Sequence, residues 1–220
     1  MKWFALREQG YAVGEQNLTK IRPRQVVAEN SMYLFNITED YSELYWFKYD
    51  QSISPDHLLF ISGEKQPTPI TPPTFRNNKK ISKERLLSFD IFQSDTLEFV
   101  SKKMAQIFIE YASDVQIFPA DIYLKKEKLK DFFVFNVTQT LPCIDMKNSE
   151  HKPMFSFMPN GPTAFSTIKS LPPTALFGHD IVRAEESPQR LFVSEKFKLH
   201  CETAKLKGLR FMDCSKAIRI

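Results

Sequence analysis

The sequence predicts an α+β fold, in which helices pack on a mixed β-sheet and a β-rich N-terminal region precedes the main domain. Three observations predict it: a short motif that occurs twice with helical periodicity behind each copy, a continuous apolar run, and aromatic strand-like runs near the N-terminus. A chain of 220 residues with 42% hydrophobic residues can bury a sizeable core. We therefore expect a folded globular protein.

Residues 32–37 and 44–49, in the first third of the chain, are aromatic and branched runs. The polar residues 38–42 between them are typical of a turn, so the simplest prediction is a β-hairpin. Four prolines between residues 63 and 80 remove backbone donors, which indicates an exposed loop. The predicted organisation is a β-rich region over residues 1–62, a Pro-rich loop or linker over 63–85, and a main domain over 86–220.

The main domain contains an internal repeat, because residues 99–104 recur as residues 192–197 and a second phenylalanine follows each copy at the same distance. The identical aligned pairs are Phe99/Phe192, Val100/Val193, Ser101/Ser194, Lys103/Lys196 and Phe118/Phe211. Ser101 and Ser194 stand where a helix N-cap is expected, and apolar residues follow at helical spacing. Each copy therefore predicts a strand, a capped helix and a second strand.

Residues 131–137, between the two copies, form a continuous apolar run after the initial aspartate. Such a run is typical of a strand that is buried on both faces. Together with the two strand-helix-strand units, it predicts a mixed sheet with helices packed on it.

The sequence shows no constellation of residues that is typical of an enzyme or a metal site. Its six glycines are not clustered, which excludes a dinucleotide fingerprint and a P-loop, and its four histidines are scattered. Cys143, Cys201 and Cys214 form no Cys-x-x-Cys pair, and their odd number favours a reducing compartment. A buried structural thiol is the stronger interpretation of Cys143 than a nucleophile. We predict no catalytic residue, no metal, no cofactor and no enzymatic activity.

Charge and hydropathy limit the partners and the location. A formal net charge of +4 is too small for nonspecific nucleic-acid binding. Residues 1–8 contain early charges that interrupt any signal-peptide core, and no apolar stretch is long enough to span a membrane. The prediction is a cytoplasmic protein that binds neither nucleic acid nor membrane.

Residues 28–64 contain seven acidic residues and one basic residue, a net charge of −6, with aromatic residues interleaved. Aromatic side chains beside charges favour a protein contact with electrostatic steering. The candidate binding residues are Glu39, Asp40, Tyr41, Glu43, Tyr45 and Asp50, with Asp56 and His57 as an extension. The alternative is a hairpin that packs its aromatic residues inward and leaves its carboxylates in solvent.

An ordered series of motifs between residues 86 and 214 resembles the immunity protein family eleven of bacterial polymorphic-toxin systems. The motifs are Phe89-Asp90, Leu97-Glu98-Phe99-Val100-Ser101, Phe118-Pro119, Phe133-Val134-Phe135-Asn136-Val137, Cys143-Ile144-Asp145 with Ser149, Leu191-Phe192-Val193-Ser194-Glu195-Lys196, and Lys207-Gly208-Leu209-Arg210-Phe211. The resemblance implies a cytosolic, type VI secretion-associated immunity protein that neutralises a cognate toxin effector domain and has no catalytic residues. On this hypothesis the candidate residues above bind the toxin.

Two other hypotheses stay open. A small enzyme that reverses a toxin's modification would use His151, His179 and Asp180, which are the only loop residues suited to such a site. A nucleic-acid-binding module would use the basic residues Lys79, Lys80, Lys83, Arg85 and the cluster Lys125, Lys126, Lys128 and Lys130. The oligomeric state is left open.

Overall fold

A computed structural model of the protein describes residues 31–158 and 161–220. The strands in these ranges are β1 (Met32–Ile37), β2 (Lys48–Tyr49), β3 (Thr74–Asn77), β4 (Ile91–Gln93), β5 (Glu98–Ser101), β6 (Val115–Leu124), β7 (Glu127–Val137), β8 (Thr140–Leu141), β9 (His151–Pro153), β10 (Thr163–Phe165), β11 (Thr167–Ile168), β12 (Ile181–Ala184), β13 (Ser187–Ser194), β14 (Leu209–Asp213) and β15 (Ile218–Arg219). The helices are α1 (Lys83–Leu86), α2 (Lys102–Tyr111) and α3 (Glu195–Thr203). Short 3-10 turns lie at Glu43–Tyr45, His57–Phe60 and Pro173–Leu176.

The predicted α+β class, a mixed sheet with packed helices and two strand-helix-strand units behind a β-rich N-terminal region, was wrong, because the protein is a β-rich fold. Strands hold 39% and helices 18% of the described residues. Among the described helices, α1 is a single turn, so α2 and α3 supply most of the helical residues. Segments without clear periodicity form additional short strands such as β3 and β10, because their backbone groups pair with a neighbouring strand.

Two large sheets and two small ones organise the strands. The six-stranded sheet has the order β2-β3-β6-β7-β5-β4, and the five-stranded sheet has the order β14-β1-β13-β12-β8. The predicted hairpin between residues 32–37 and 44–49 was wrong: β1 pairs with β13 and β14, whereas β2 pairs with β3. A central strand needs a partner on each edge, and β1 finds both partners near the C-terminal end of the described chain.

The two longer helices begin at serine N-caps, as the sequence predicts. The Met104 N–H donates to the Ser101 hydroxyl oxygen at 3.3 Å, and the Phe197 N–H donates to the Ser194 hydroxyl oxygen at 3.0 Å. Each serine hydroxyl in turn donates to an aspartate that precedes a strand, Asp90 for Ser101 and Asp180 for Ser194. Each cap therefore ties its helix to the strand beside it.

The two large sheets contain the same four-stranded unit. The first half contains β4 to β7 in the antiparallel order β6-β7-β5-β4, and α2 connects β5 to β6. The second half contains β12 to β14 together with β1 in the antiparallel order β14-β1-β13-β12, and α3 connects β13 to β14. Strands β1 and β7 are equivalent in this arrangement. They end in Phe35-Asn36-Ile37 and Phe135-Asn136-Val137, and a threonine follows each. The protein is therefore an internal duplication whose second half takes one strand from the start of the described chain.

The pairing registers correct one detail of the predicted repeat. Val134 pairs with Phe99 and Leu34 pairs with Phe192, so these two positions are equivalent. On the other edge, Val134 pairs with Phe118, whereas Leu34 pairs with Met212. The structural equivalent of Phe118 is therefore Met212, and the predicted match with Phe211 is displaced by one residue.

The halves meet through their helices and the inner faces of their sheets. Phe108 of α2 stacks on Phe197 of α3 with ring centroids 5.7 Å apart, and both are fully buried. Val100 and Val193, which are equivalent residues of β5 and β13, pack in the same cluster. This shared core holds the two sheets in fixed relation.

The structure does not describe residues 1–30. The expectation that no signal peptide is present depends on residues 1–8 and therefore lies outside the described residues. Within the described ranges, none of the helices has the length and apolar character needed to cross a membrane.

Candidate functional site

The acidic candidate residues lie on the loop that follows β1 and on the 3-10 turn Glu43–Tyr45. Asp40 and Glu43 are exposed, and neither side chain has an ion pair with another described residue. Glu39 is also exposed, but its carboxylate pairs with the Arg210 guanidinium across the edge of the second-half sheet. Asp40 and Glu43 therefore supply the open negative charge of this loop.

Tyr41 supports the acidic loop from beneath. It is 7% exposed, and its ring packs edge-on against Phe89 and Tyr45. Its hydroxyl donates to the Tyr45 carbonyl at 3.0 Å and accepts the Gln93 N–H at 3.4 Å. Burial raises the pKa of Tyr41 above its ordinary value. This residue fixes the loop, whereas Tyr45 is half-buried and can present part of its ring to a partner.

Two apolar side chains protrude between the acidic residues. Leu44 is 57% exposed and Trp46 is 42% exposed. Their carbonyl groups both accept from the side-chain amide of buried Asn77, at 2.9 and 3.0 Å, so the backbone that carries them is fixed. A rigid segment loses little conformational entropy on binding. We call Glu39, Asp40, Glu43, Leu44 and Trp46 the acidic surface.

Trp46 is one of the aromatic residues interleaved with the acidic residues. The sequence pattern does not predict that Leu44 and Trp46 are exposed while Tyr41 is buried. Their exposure follows from the 3-10 turn, which interrupts the strand alternation that residues 44–49 predict. A serine at position 42 is the available signal: the Leu44 N–H donates to its hydroxyl oxygen at 3.3 Å and starts the turn.

Asp50 is already occupied by a structural contact. Its carboxylate accepts from Arg76 Nε at 2.8 Å and from the Ser52 hydroxyl at 2.6 Å. The hydrogen bond from the Arg76 guanidinium is the main cause that lowers the pKa of Asp50 below its ordinary value. Asp50 therefore helps to close the loop after β2, and its charge is partly neutralised.

The predicted extension, Asp56 and His57, lines a groove next to the same region. The groove has a volume of about 360 Å³, and Tyr49 and Gln51 form its other wall. Asp56 accepts the Leu58 N–H at 3.0 Å and starts the 3-10 turn His57–Phe60, while the His57 ring lies edge-on to Tyr49. Both residues thus have local roles that leave part of each side chain open to a partner.

A cleft of about 370 Å³ lies between the segment that joins β4 to β5 and residues 189–191 of β13. Glu98 and Arg183 line it from opposite halves. Burial raises the pKa of Glu98 and lowers that of Arg183 to about 10. The Arg183 guanidinium donates to the carbonyls of Val137, at 3.3 Å, and Pro188. The hydrogen bonds of the Arg183 guanidinium therefore connect segments of this chain.

The residues of the enzyme hypothesis serve structural bonds. His179 Nδ1 lies 2.7 Å from an Asp114 carboxylate oxygen. Asp180 accepts from the Ser194 hydroxyl and from Lys196 Nζ, so it belongs to the cap of α3. His151 lies on the exposed strand β9, where its ring contacts Phe165. Within residues 31–158 and 161–220, no group of three or more potential metal ligands comes together.

The three cysteines are free and buried, as expected for Cys143. Burial raises the pKa values of Cys143 and Cys201 to about 12 and that of Cys214 to about 11. A thiol with so high a pKa is a poor nucleophile at neutral pH because little thiolate is present.

The basic residues of the nucleic-acid hypothesis are partly neutralised. Lys83 pairs with Glu127, and Lys128 pairs with Asp121 at 2.7 Å. Lys79 Nζ donates to the Glu43 carbonyl at 3.0 Å, so it lies beside the acidic surface. Alternating charges of this kind are typical of a solvated face.

A protein-family model described as Immunity protein family (Imm11) matches residues 31–216, more than four fifths of the chain. The match runs from the start of β1 to just beyond β14 and therefore includes both halves and the acidic surface. No curated protein matches the sequence.

Proposed function

The chain belongs to the Imm11 immunity protein family, and on that premise we propose that it binds a cognate antibacterial toxin in the cytosol of the producing cell and neutralises it there. The observation that carries the proposal is the family match over both halves of the duplication. Immunity proteins protect by contact, so the partner is a toxin effector domain.

The proposal includes the setting that the sequence resemblance implies: a polymorphic toxin, delivered to competitors by type VI secretion and blocked in the producer by this protein. Neutralisation proceeds by binding and not by catalysis. The bonds of Asp180 support this view, because the Ser194 hydroxyl and Lys196 Nζ already occupy its carboxylate at the cap of α3.

The acidic surface makes the first contact with the toxin in this proposal. Asp40 and Glu43 supply open charge for steering, and Leu44 and Trp46 supply apolar area that the contact removes from water. Tyr45 extends this area, Asp50 lies at its border, and Tyr41 acts as a positioning residue beneath it. The rigid backbone at Asn77 lowers the entropic cost of binding.

The test begins with the tagged protein and lysate from the bacterium that encodes it, followed by mass spectrometry of captured proteins. The toxin domain so identified is then expressed in a heterologous host with and without this protein. Growth only with this protein, together with a stoichiometric complex of the two purified proteins, supports the proposal. Protection at strongly substoichiometric amounts, without a complex, would instead indicate an enzyme that reverses the toxin's modification.

A further inference from the structure

The first half binds a segment of its own chain on the outer face of its sheet. The Asn136 side-chain amide donates to the Glu64 carbonyl at 2.7 Å. The Gln66 N–H donates to Gln116 Oε1, and Gln116 Nε2 donates to the Gln66 carbonyl, both at 2.8 Å. Residues 64–66 lie outside any helix or strand. The sheet thus recognises a loop through that loop's backbone groups.

The second half contains the same pair of positions without such a loop. Asn136 pairs across strands with Gln116, and Asn36 pairs across strands with Arg210. Asn136 is fully buried under residues 64–66, whereas Asn36 is exposed. The described chain therefore leaves open, in the second half, a face that the first half covers.

Two arginines flank the exposed asparagine. Phe35 pairs with Leu191, so Arg190 is the next residue along β13 beside Asn36, while Arg210 lies beside Asn36 on β14. Residues that lie directly opposite each other on adjacent strands point their side chains to the same face, and adjacent strands are about 4.8 Å apart. We call Asn36, Arg190 and Arg210 the arginine face.

The arginines are specific to the second half. The first-half equivalents of Arg190 and Arg210 are Leu97 and Gln116, which carry no charge. Arg190 is half-buried, and the Arg210 side chain is 41% exposed. Exposed Glu39 pairs with Arg210, and Glu98 lines the small pocket that also contains Asn36 and Arg190. Guanidinium groups bind carboxylates through paired hydrogen bonds, so the face favours an acidic ligand.

We infer that the arginine face binds an acidic loop of the toxin, with Asn36 contacting its backbone and the two arginines contacting its carboxylates. The inference rests on the proposed function and adds the chemistry of the partner's segment. Glu39 holds Arg210 in the free protein, and a toxin carboxylate replaces it. Because an exposed ion pair contributes little to stability, this exchange costs little.

The first experiment needs no toxin and uses the full-length protein with a synthetic peptide, acetyl-Thr-Glu-Val-Glu-Gly-Glu-Thr-amide, and its counterpart with glutamine at each glutamate. Backbone amide NMR shifts should change at Asn36, Arg190 and Arg210 when the acidic peptide is added. The affinity fitted from these shifts should be at least about ten-fold weaker for the glutamine counterpart. Glu39→Gln should tighten acidic-peptide binding, since it removes the internal competitor. Arg190→Gln/Arg210→Gln should abolish it, whereas Arg219→Gln, an exposed arginine on β15, should not.

The second experiment measures the affinity of the toxin domain for the same variants. Arg190→Gln/Arg210→Gln should weaken the complex about 100-fold, with unchanged unfolding curves, and Arg219→Gln should leave it intact. Toxin affinity that is unaffected by the double substitution overturns the inference and leaves the proposed function standing. Specific peptide binding without any toxin complex has the opposite meaning, because it retains the anion-binding site and removes the proposed function. Shifts that spread over the surface with both peptides also overturn the inference.

Discussion

Thr38 and Thr138 directly follow equivalent strands and make the same hydrogen bond. The N–H of Thr38 donates to the Gly208 carbonyl and that of Thr138 donates to the Asp114 carbonyl, at 2.8 Å in both cases. Gly208 and Asp114 each stand directly before the strand that pairs with the threonine's strand. The duplication therefore preserves the strand ends as well as the strand order, and the differences between the halves indicate where each has specialised.

The same positions also contact the opposite half. Phe89 packs against Gly208 of the second half, and His179 bonds to Asp114 of the first half. Phe89 and His179 both stand directly before an aspartate that binds a helix-cap serine. The contact between halves is thus reciprocal, with an apolar ring on one side and a polar pair on the other.

We expect charge reversal on the acidic surface, Asp40→Lys with Glu43→Lys, to slow association with the toxin about ten-fold at low salt. The effect should shrink as salt is raised, because salt screens exposed charges. Stopped-flow association rates at two ionic strengths measure it. The control, Glu110→Lys with Glu185→Lys, changes exposed charge equally elsewhere. Equal association rates for wild type and both double variants would remove the acidic surface from the proposed function.

Tyr41→Phe should lower the free energy of unfolding by about 1 kcal/mol, because it removes the bond to the Tyr45 carbonyl and retains the ring. Tyr41→Ala should lower it by about 3–5 kcal/mol, since the aromatic contacts to Phe89 and Tyr45 are lost as well. Urea unfolding curves measure both. A Tyr41→Ala variant as stable as Tyr41→Phe would show that the ring does not support the loop.

Gly208→Ala should be more destabilising than Gly178→Ala. Both glycines have positive φ, +90° and +82°, so an alanine is strained at either position. At Gly208 the new Cβ would also lie 3.1 Å from Phe89 Cδ1, whereas at Gly178 no heavy atom lies within 4 Å. We expect a loss of about 1 kcal/mol at Gly178 and about twice that at Gly208, measured by thermal or urea unfolding. Equal losses would mean that the contact with Phe89 adjusts freely.

The protein should lose stability as pH rises above about 9. Burial raises the pKa of Cys143 from 9.0 to about 12, so the folded state holds this proton more tightly than the unfolded state. A group of this kind contributes stability fully below its unfolded pKa and loses it as pH rises toward the folded value. Cys143→Ala should flatten the decline in the free energy of unfolding between pH 9 and pH 12. A decline of the same slope in this variant would assign the effect to other groups.

Local features of the fold were predictable from the sequence, and distant pairings were not. The helix caps at Ser101 and Ser194 depend on residues three positions away, so short motifs indicate them. The partners of β1 lie more than 150 residues further along the chain, and no local pattern identifies them. The sequence therefore predicts that residues 44–49, the next strand-like run, pair with β1 in a hairpin, and the structure contradicts this prediction.

The candidate site shows the same limit. Net charge located the acidic segment, but the side of the loop to which Tyr41 points depends on its packing against Phe89, a residue of another segment. The arginine face could not be predicted from the sequence, because only the pairing of β1 with β13 and β14 brings Asn36, Arg190 and Arg210 together. Comparison of residues 35–38 with 135–138 is the signal that could have revealed it.

The position of β1 also determines the order in which the protein can fold during synthesis. The strands of the first half's unit emerge from the ribosome as one continuous stretch from β4 to β7 and can pair at once. Strand β1 emerges before all of them, yet its partners β13 and β14 are made more than 150 residues later. Its apolar residues lack these partners while the intervening chain is made, which gives a nascent-chain chaperone time to act on β1.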